Sequence, residues 1–291
     1  MAEIQELVEA YRQGTLSRRD FIRRVITVAG GLAAALPYLS PLGITAVDAA
    51  QVDPNDPTLE SKMVQFPGKA GPVWAYQSRP KAPGPYPAII MVHENRGVSS
   101  YIEDVARRLA REGYVALAVD YLSRHGGTTK VPGTDSPAGV NIRQLAPREV
   151  VAEDTGAAVT YLKTLSGVRG DRIGITGFCW GGEMVFYTAT QVRGFKAVVV
   201  FYGRSPQPVD LLREIEAPVL AHSGEEDREI TGGVPATDEA MRRFGKSYTF
   251  KIYRKAGHAF HNDTRPDRYH PEAAREAWER TLAFFAQYVK A

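Results

Sequence analysis

The residue with the most chemical potential in this 291-residue chain is its single cysteine, Cys179. It sits in Gly177-Phe178-Cys179-Trp180-Gly181-Gly182, between an apolar run that reads as a strand and a pattern that reads as a helix. A G-x-C-x-G sequence at such a junction is a thiol version of the nucleophile elbow, a strand-to-helix turn too tight for side chains on either flank. The turn would present the thiol at the strand's carboxyl end and at the amino end of the helix. There the helix dipole and unpaired N–H groups favour a thiolate and an oxyanion alike. The competing reading is a small apolar residue filling a core gap. Glycines two positions before and two after argue for the elbow.

A nucleophile of this kind needs a base and a group that orients the base. His258 follows the last apolar run in Lys255-Ala256-Gly257-His258-Ala259-Phe260, and Asp227 follows another in Ser223-Gly224-Glu225-Glu226-Asp227. Glu225 and Glu226 are rivals for the acid but lie earlier in the turn. The order nucleophile, acid, histidine is that of the α/β-hydrolases. A metal reading of His258, His261, His270 and Asp263 finds no helical i,i+4 pair to support it, so no metal site is expected. His93 and His222, at strand ends, read as packed or hydrogen-bonded residues. The sequence gives His125 no role.

These residues must be positioned by the elements around them. Strands are expected at Ala88–His93, Val115–Asp120, Arg172–Phe178, Ala197–Tyr202, Val219–Ser223 and Tyr248–Tyr253. Helical patterns alternate with them at Tyr101–Glu112, Glu149–Leu165, Gly182–Thr190, Thr237–Phe244 and Pro271–Val289. This alternation predicts an α/β fold with a mostly parallel sheet flanked by helices, which binds ligands at the carboxyl ends of its strands. Ser61–Phe66 and Val73–Ser78 read as an antiparallel hairpin at the sheet edge. Residues 122–147 are rich in Gly, Pro, Thr and Ser without a period, as in a lid or pocket wall. With 44% hydrophobic residues the chain can bury a sizeable core, and no linker divides it. Thirty-six Lys and Arg against 33 Asp and Glu leave a net charge of +3, too slight for a nucleic-acid binder. One cysteine excludes an internal disulfide framework and any multi-cysteine metal centre.

The amino-terminal 50 residues have a different character. Ser17-Arg18-Arg19-Asp20-Phe21-Ile22-Arg23 resembles a twin-arginine export signal. Val25 through Leu36 supplies a short apolar stretch, below the roughly 20 residues a membrane span needs. Ala46-Val47-Asp48-Ala49-Ala50 offers small residues for cleavage near Ala49 or Ala50. The reading is therefore a signal segment over 1–50 and one domain over 51–291, exported to the periplasm, with no membrane span in the mature chain. An amphipathic helix with incidental arginines is the alternative.

Over residues 60–290 the chain resembles the dienelactone hydrolase (carboxymethylenebutenolidase-like) family of α/β-hydrolases. The resemblance rests on His93-Glu94-Asn95-Arg96-Gly97, on Gly113-Tyr114-Val115 leading to Asp120-Tyr121, on the Cys179 elbow, on Asp227 and on Gly257-His258-Ala259-Phe260. It implies a single-domain hydrolase acting on a small-molecule ester or lactone, without cofactor, through Cys179, His258 and Asp227. It further implies that Glu94 approaches the resting thiol until substrate displaces it, and that the N–H groups of Trp180 and Asn95 form the oxyanion hole. Helix capping is the plainer role for Glu94. The family arginine expected four residues after the histidine is Asn262 here, with Arg265 the nearest arginine downstream. A second carboxylate-binding arginine falls in the long loop, where Arg143 and Arg148 are candidates. Tyr202 and Phe260 are further candidates for the substrate wall. A broad-specificity carboxylesterase shares this chemistry; a thiol redox protein or a non-catalytic binding module would not need His258 and Asp227.

Overall fold

The computed structural model describes residues 2–42 except 14, 17 and 31, and residues 51–291 except 137 and 266. Helices α1 (Ala2–Arg12), α2 (Arg18–Ala29) and α3 (Leu32–Leu39) come first. Ile4, Phe21, Ile22, Val25, Ala35 and Leu39 bury one another among these helices. The cleavage-site residues Ala46–Ala50 lie outside the described residues. No helix among the described residues is long and apolar enough to cross a membrane.

The remainder is built on eight strands: β1 (Leu59–Gly68), β2 (Gly71–Pro80), β3 (Tyr86–Val92), β4 (Val115–Asp120), β5 (Val168–Phe178), β6 (Phe195–Phe201), β7 (Val219–Gly224) and β8 (Tyr248–Tyr253). The helices between and after them are α4 (Ser100–Arg111), α5 (Ile142–Leu145), α6 (Arg148–Thr164), α7 (Trp180–Gln191), α8 (Arg228–Thr231), α9 (Val234–Arg243) and α10 (Pro271–Phe285). The sheet order is β1-β2-β4-β3-β5-β6-β7-β8. β1 and β2 pair antiparallel, β2 pairs antiparallel with β4, and every pairing from β4 to β8 is parallel. This is a single-domain α/β-hydrolase-like fold, with the hairpin at the sheet edge as the alternation in Ser61–Phe66 and Val73–Ser78 indicates.

The central strands are apolar on both faces because both faces are covered. On β3, Ala88, Ile90 and Val92 join the cluster beneath α6 and α7, with Val151, Leu162 and Val185. Ile89 and Met91, pointing oppositely, join the cluster beneath α4 and α10, with Val105, Leu109 and Phe285. Period-two alternation along one strand thus feeds two cores. α4 shows the matching helical period: Ile102, Val105, Ala106 and Leu109 face inward, Glu103 stands in its first turn, and Arg108 and Arg111 in its last. The expected final helix ends at Phe285, where the chain widens into a π turn over Ala286–Lys290. Residues 122–147 are irregular apart from the short turns Ser123–His125 and Thr128–Lys130 and the one-turn α5.

The strand-end histidines His93 and His222 are wholly buried. Nδ1 and Nε2 of His222 lie 3.0 Å from the Tyr253 and Thr281 hydroxyls. Burial, aided by the charge of Arg280, pushes its pKa down to about 3. An unfolded histidine takes up its proton near pH 6.5, so below that value the unfolded state gains a proton that the folded state refuses. Stability from this residue is complete above about pH 6.5 and drains as pH falls toward about 3, by about 1.4 kcal/mol per pH unit. Urea midpoints of His222→Gln are expected to fall less steeply with acidification than those of the wild type. Equal slopes would contradict the assignment.

Candidate active site

The turn at the end of β5 is dictated by backbone crowding. A methyl group on Gly177 would lie 2.4 Å from the Gly181 carbonyl oxygen, and one on Gly181 would lie 2.3 Å from that of Val92. Neither position accepts a side chain, so α7 begins hard against the end of β3. Cys179, between them, adopts φ 59° and ψ −121°, a left-handed φ that non-glycine residues occupy only under constraint. Its N–H donates to the Phe201 carbonyl at 3.1 Å, and its carbonyl accepts from the Glu183 N–H at 3.2 Å. The thiol is left half-buried at the strand end, with Trp180 as the first residue of α7. The N–H groups of a first helical turn have no intrahelical partner, so that of Trp180 is available to a ligand.

His258 lies in the loop after β8. Lys255 and Ala259 both take positive φ, 57° and 64°, and the chain there curls back over the sheet. His258 Nε2 is 3.0 Å from Cys179 Sγ, and Nδ1 is 2.6 Å from Asp227 Oδ2. Asp227 precedes α8 and is 8% exposed at its side chain. Of the rival acids, Glu225 accepts from the Lys255 N–H at 3.0 Å and so braces the histidine loop, while the Glu226 N–H donates to the Ala256 carbonyl at 2.9 Å. Burial disfavours a charge on His258, yet its bonds to Asp227 and to the Cys179 sulfur more than offset this and push its pKa up to about 10. Nucleophile, base and acid therefore stand in hydrogen-bonded sequence.

Glu94 follows β3 and is 6% exposed, and burial raises its carboxyl above the usual range. Its Oε2 accepts from Asn262 Nδ2 at 2.9 Å, and α4 begins instead after Ser99, so Glu94 is no helix cap. The thiol's hydrogen bond goes to His258, not to Glu94. The Glu94 carboxyl engages Asn262. His93 holds this segment from behind. Its Nε2 accepts from the Tyr121 N–H at 3.1 Å, so the other nitrogen carries the proton and donates to the Glu94 carbonyl at 2.7 Å. The next residue, Asn95, is fixed by the long loop: its carbonyl accepts from the Val140 N–H at 3.0 Å and its amide donates to the Ala138 carbonyl at 2.9 Å.

Cys179, Trp180, Asp227, His258, Glu94, Asn95 and Asn262 all border one cavity of about 510 Å³. Tyr202 joins them, its ring centroid 5.2 Å from that of His258. Of the two candidate arginines only Arg143 reaches the cavity, where it meets Glu183 in a bidentate pair at 2.7 and 2.8 Å. Arg148 is a correction: it turns away to Glu149, the Gln207 carbonyl and the Tyr187 ring, because it opens α6 on the outer side. Phe260 is another. It is fully buried between Tyr202 and Tyr253, and Ala259 borders the cavity in its place. Arg204, ion-paired to Glu229, and Arg96 also line the cavity, and no pattern of spacing marks either. His125 bonds the Leu145 carbonyl at 2.9 Å, within the long loop. Among the described residues, no three His, Cys, Asp or Glu side chains gather as a metal site would require.

The sequence matches the model of the Dienelactone hydrolase family over residues 73–289. A protein of Methylorubrum extorquens named "Putative carboxymethylenebutenolidase" is 35% identical over 286 residues, covering 95% of this chain and 94% of the relative. A Bradyrhizobium protein named "Probable 2-oxo-3-(5-oxofuran-2-ylidene)propanoate lactonase" is 37% identical over 223 residues, covering 72% and 87%. The crystal structure of a "Putative Dienelactone Hydrolase" from Klebsiella pneumoniae superposes with a TM-score of 0.71 at 33% identity, covering 79% of this chain and 99% of that one. The chain is an enzyme of the ester- and lactone-hydrolysing type, and it belongs to the dienelactone hydrolase family.

Proposed function

We propose that the chain hydrolyses a carboxylic ester or lactone through an acyl-cysteine intermediate. The observation that carries this reading is the continuous sequence Cys179 Sγ, His258, Asp227 at 3.0 and 2.6 Å. His258 takes the thiol proton as sulfur attacks the carbonyl carbon, and Asp227 stabilises the imidazolium that results. The carbonyl oxygen becomes an oxyanion facing the N–H groups of Trp180 and Asn95. On collapse the C–O bond breaks and the leaving alkoxide takes the proton from His258; in a lactone it stays tethered to the acyl group. His258 then removes a proton from water, hydroxide attacks the thioester, and the C–S bond breaks to return the thiol. Every step uses groups of the chain itself. The raised pKa of His258, about 10, supports the first transfer, since it favours the imidazolium while the sulfur loses its proton.

The name of the Bradyrhizobium relative points to a furanone lactone as a member of the substrate class. Turnover of a panel of unsaturated five-membered lactones and simple p-nitrophenyl esters tests this choice. Lactones are expected to be hydrolysed with the higher kcat/KM; a preference for simple esters throughout would favour the broad-specificity carboxylesterase instead.

We also propose that residues 1–50 direct export by the twin-arginine route, on the strength of the Arg18-Arg19 pair and the small residues of Ala46–Ala50. Replacing both arginines by lysine is expected to leave the full-length chain in the cytoplasm, whereas the wild type is recovered from the periplasm, shortened. Equal periplasmic recovery of both forms would refute the assignment.

A further inference from the structure

Asn262 occupies the position where an arginine was expected, and its geometry gives it a different task. It is 2% exposed, and both ends of its side-chain amide are engaged. Its Oδ1 accepts from the Thr264 N–H at 3.0 Å and from the Thr264 hydroxyl at 2.7 Å, which fixes the orientation of the amide. Nδ2 must then face outward, and it donates to Glu94 Oε2 at 2.9 Å. Glu94 borders the same cavity as Cys179 and His258. The His258 loop that carries Asn262 is itself anchored. Asp263 is ion-paired to Arg108 of α4 at 2.7 Å, and His261 Nδ1 bonds the Tyr101 hydroxyl at 2.7 Å. The amide is therefore held on a fixed support.

We infer that Asn262 is a positioning residue: it ties the Glu94 carboxyl to the histidine loop and leaves the Cys179 thiol to His258 alone, so the nucleophile is armed before substrate arrives. This rests on the acyl-cysteine reading and adds to it the regulation of the same site. A family member in which the carboxyl engages the thiol at rest would wait for substrate to release it. In this chain the release is built in, by one neutral amide whose other end is locked by Thr264. The assignment accounts for the hydrogen bond that joins Asn262 to Glu94 and for the orientation that Thr264 imposes on the buried amide.

Asn262→Asp provides the test, since an aspartate keeps the acceptor for Thr264 while it replaces the donor to Glu94 by a charged acceptor. The rate of Cys179 alkylation by iodoacetamide, measured without substrate, is expected to fall about tenfold, the worth of one hydrogen bond. Glu94→Gln in the Asn262→Asp background supplies a donor from the other side, from the Gln amide to the Asp carboxylate. It is expected to restore the rate to within about twofold of wild type, and Asn262→Leu, which removes the donor without adding a charge, is expected to slow alkylation as Asn262→Asp does. A slow double variant, or either single variant alkylating like the wild type, would overturn the inference. Alkylation reports on the thiol whether or not it forms an acyl intermediate. Ester hydrolysis by Cys179→Ala, run alongside, therefore persists only if the acyl-cysteine reading fails.

Discussion

Cys179→Ala is expected to lower p-nitrophenyl ester and lactone hydrolysis by about 10^4-fold or more while leaving the fold intact. The size of the effect follows from the division of labour in the site. His258, oriented by Asp227, is aligned on this one sulfur, and without it the pair has nothing to activate. What remains is binding and oxyanion stabilisation of a direct attack by water, which is the slow residue left in other enzymes stripped of their nucleophile. Alanine at 179 keeps the left-handed φ of 59° that the turn enforces, and removes only the sulfur. Thermal melting alongside the assay separates chemistry from unfolding. Loss of less than about tenfold would sink the role of Cys179.

Asp227→Asn is expected to reduce kcat by about 10^3- to 10^4-fold with a much smaller change in KM. The carboxylate accepts from His258 Nδ1 at 2.6 Å, which fixes the tautomer that leaves Nε2 facing the thiol. An amide can turn its NH2 toward Nδ1 and so favour the opposite tautomer, with the proton already on Nε2 and no base left for sulfur. The variant also loses a support for the raised His258 pKa, so the imidazolium formed on attack costs more. Glu225 and Glu226 offer no substitute, since both are exposed and Glu225 is engaged with the Lys255 N–H. A Glu226→Gln variant with the larger loss would transfer the role to that residue.

The parts of the site legible in the sequence are those set by local geometry. Gly177 and Gly181 mark the elbow because neither has room for a Cβ, and that constraint leaves its trace in residue type. The order of strand ends carrying Cys179, Asp227 and His258 was legible because apolar strands bounded by Gly and charge are strong signals. What stayed hidden depends on which way a side chain turns. Arg143 and Arg148 are five residues apart, and only the placement of α5 over the cavity and of α6 outside it separates them. Phe260 lies two residues beyond His258, yet the positive φ of Ala259 swings it into the core. The pairing of Glu94 with Asn262 spans 168 residues, and no pattern of spacing encodes it. One-turn α8, beside Asp227, is too short to show a helical period.

The central claim is that the acyl group passes through the Cys179 sulfur. Mass spectrometry of the enzyme quenched during turnover of a slowly deacylating ester tests it most directly. The account predicts an added mass equal to the acyl group, on the peptide containing Cys179, that disappears after hydroxylamine treatment and is absent from Cys179→Ala. An acyl group on any other residue, or steady turnover by Cys179→Ala at a rate near that of the wild type, would contradict it.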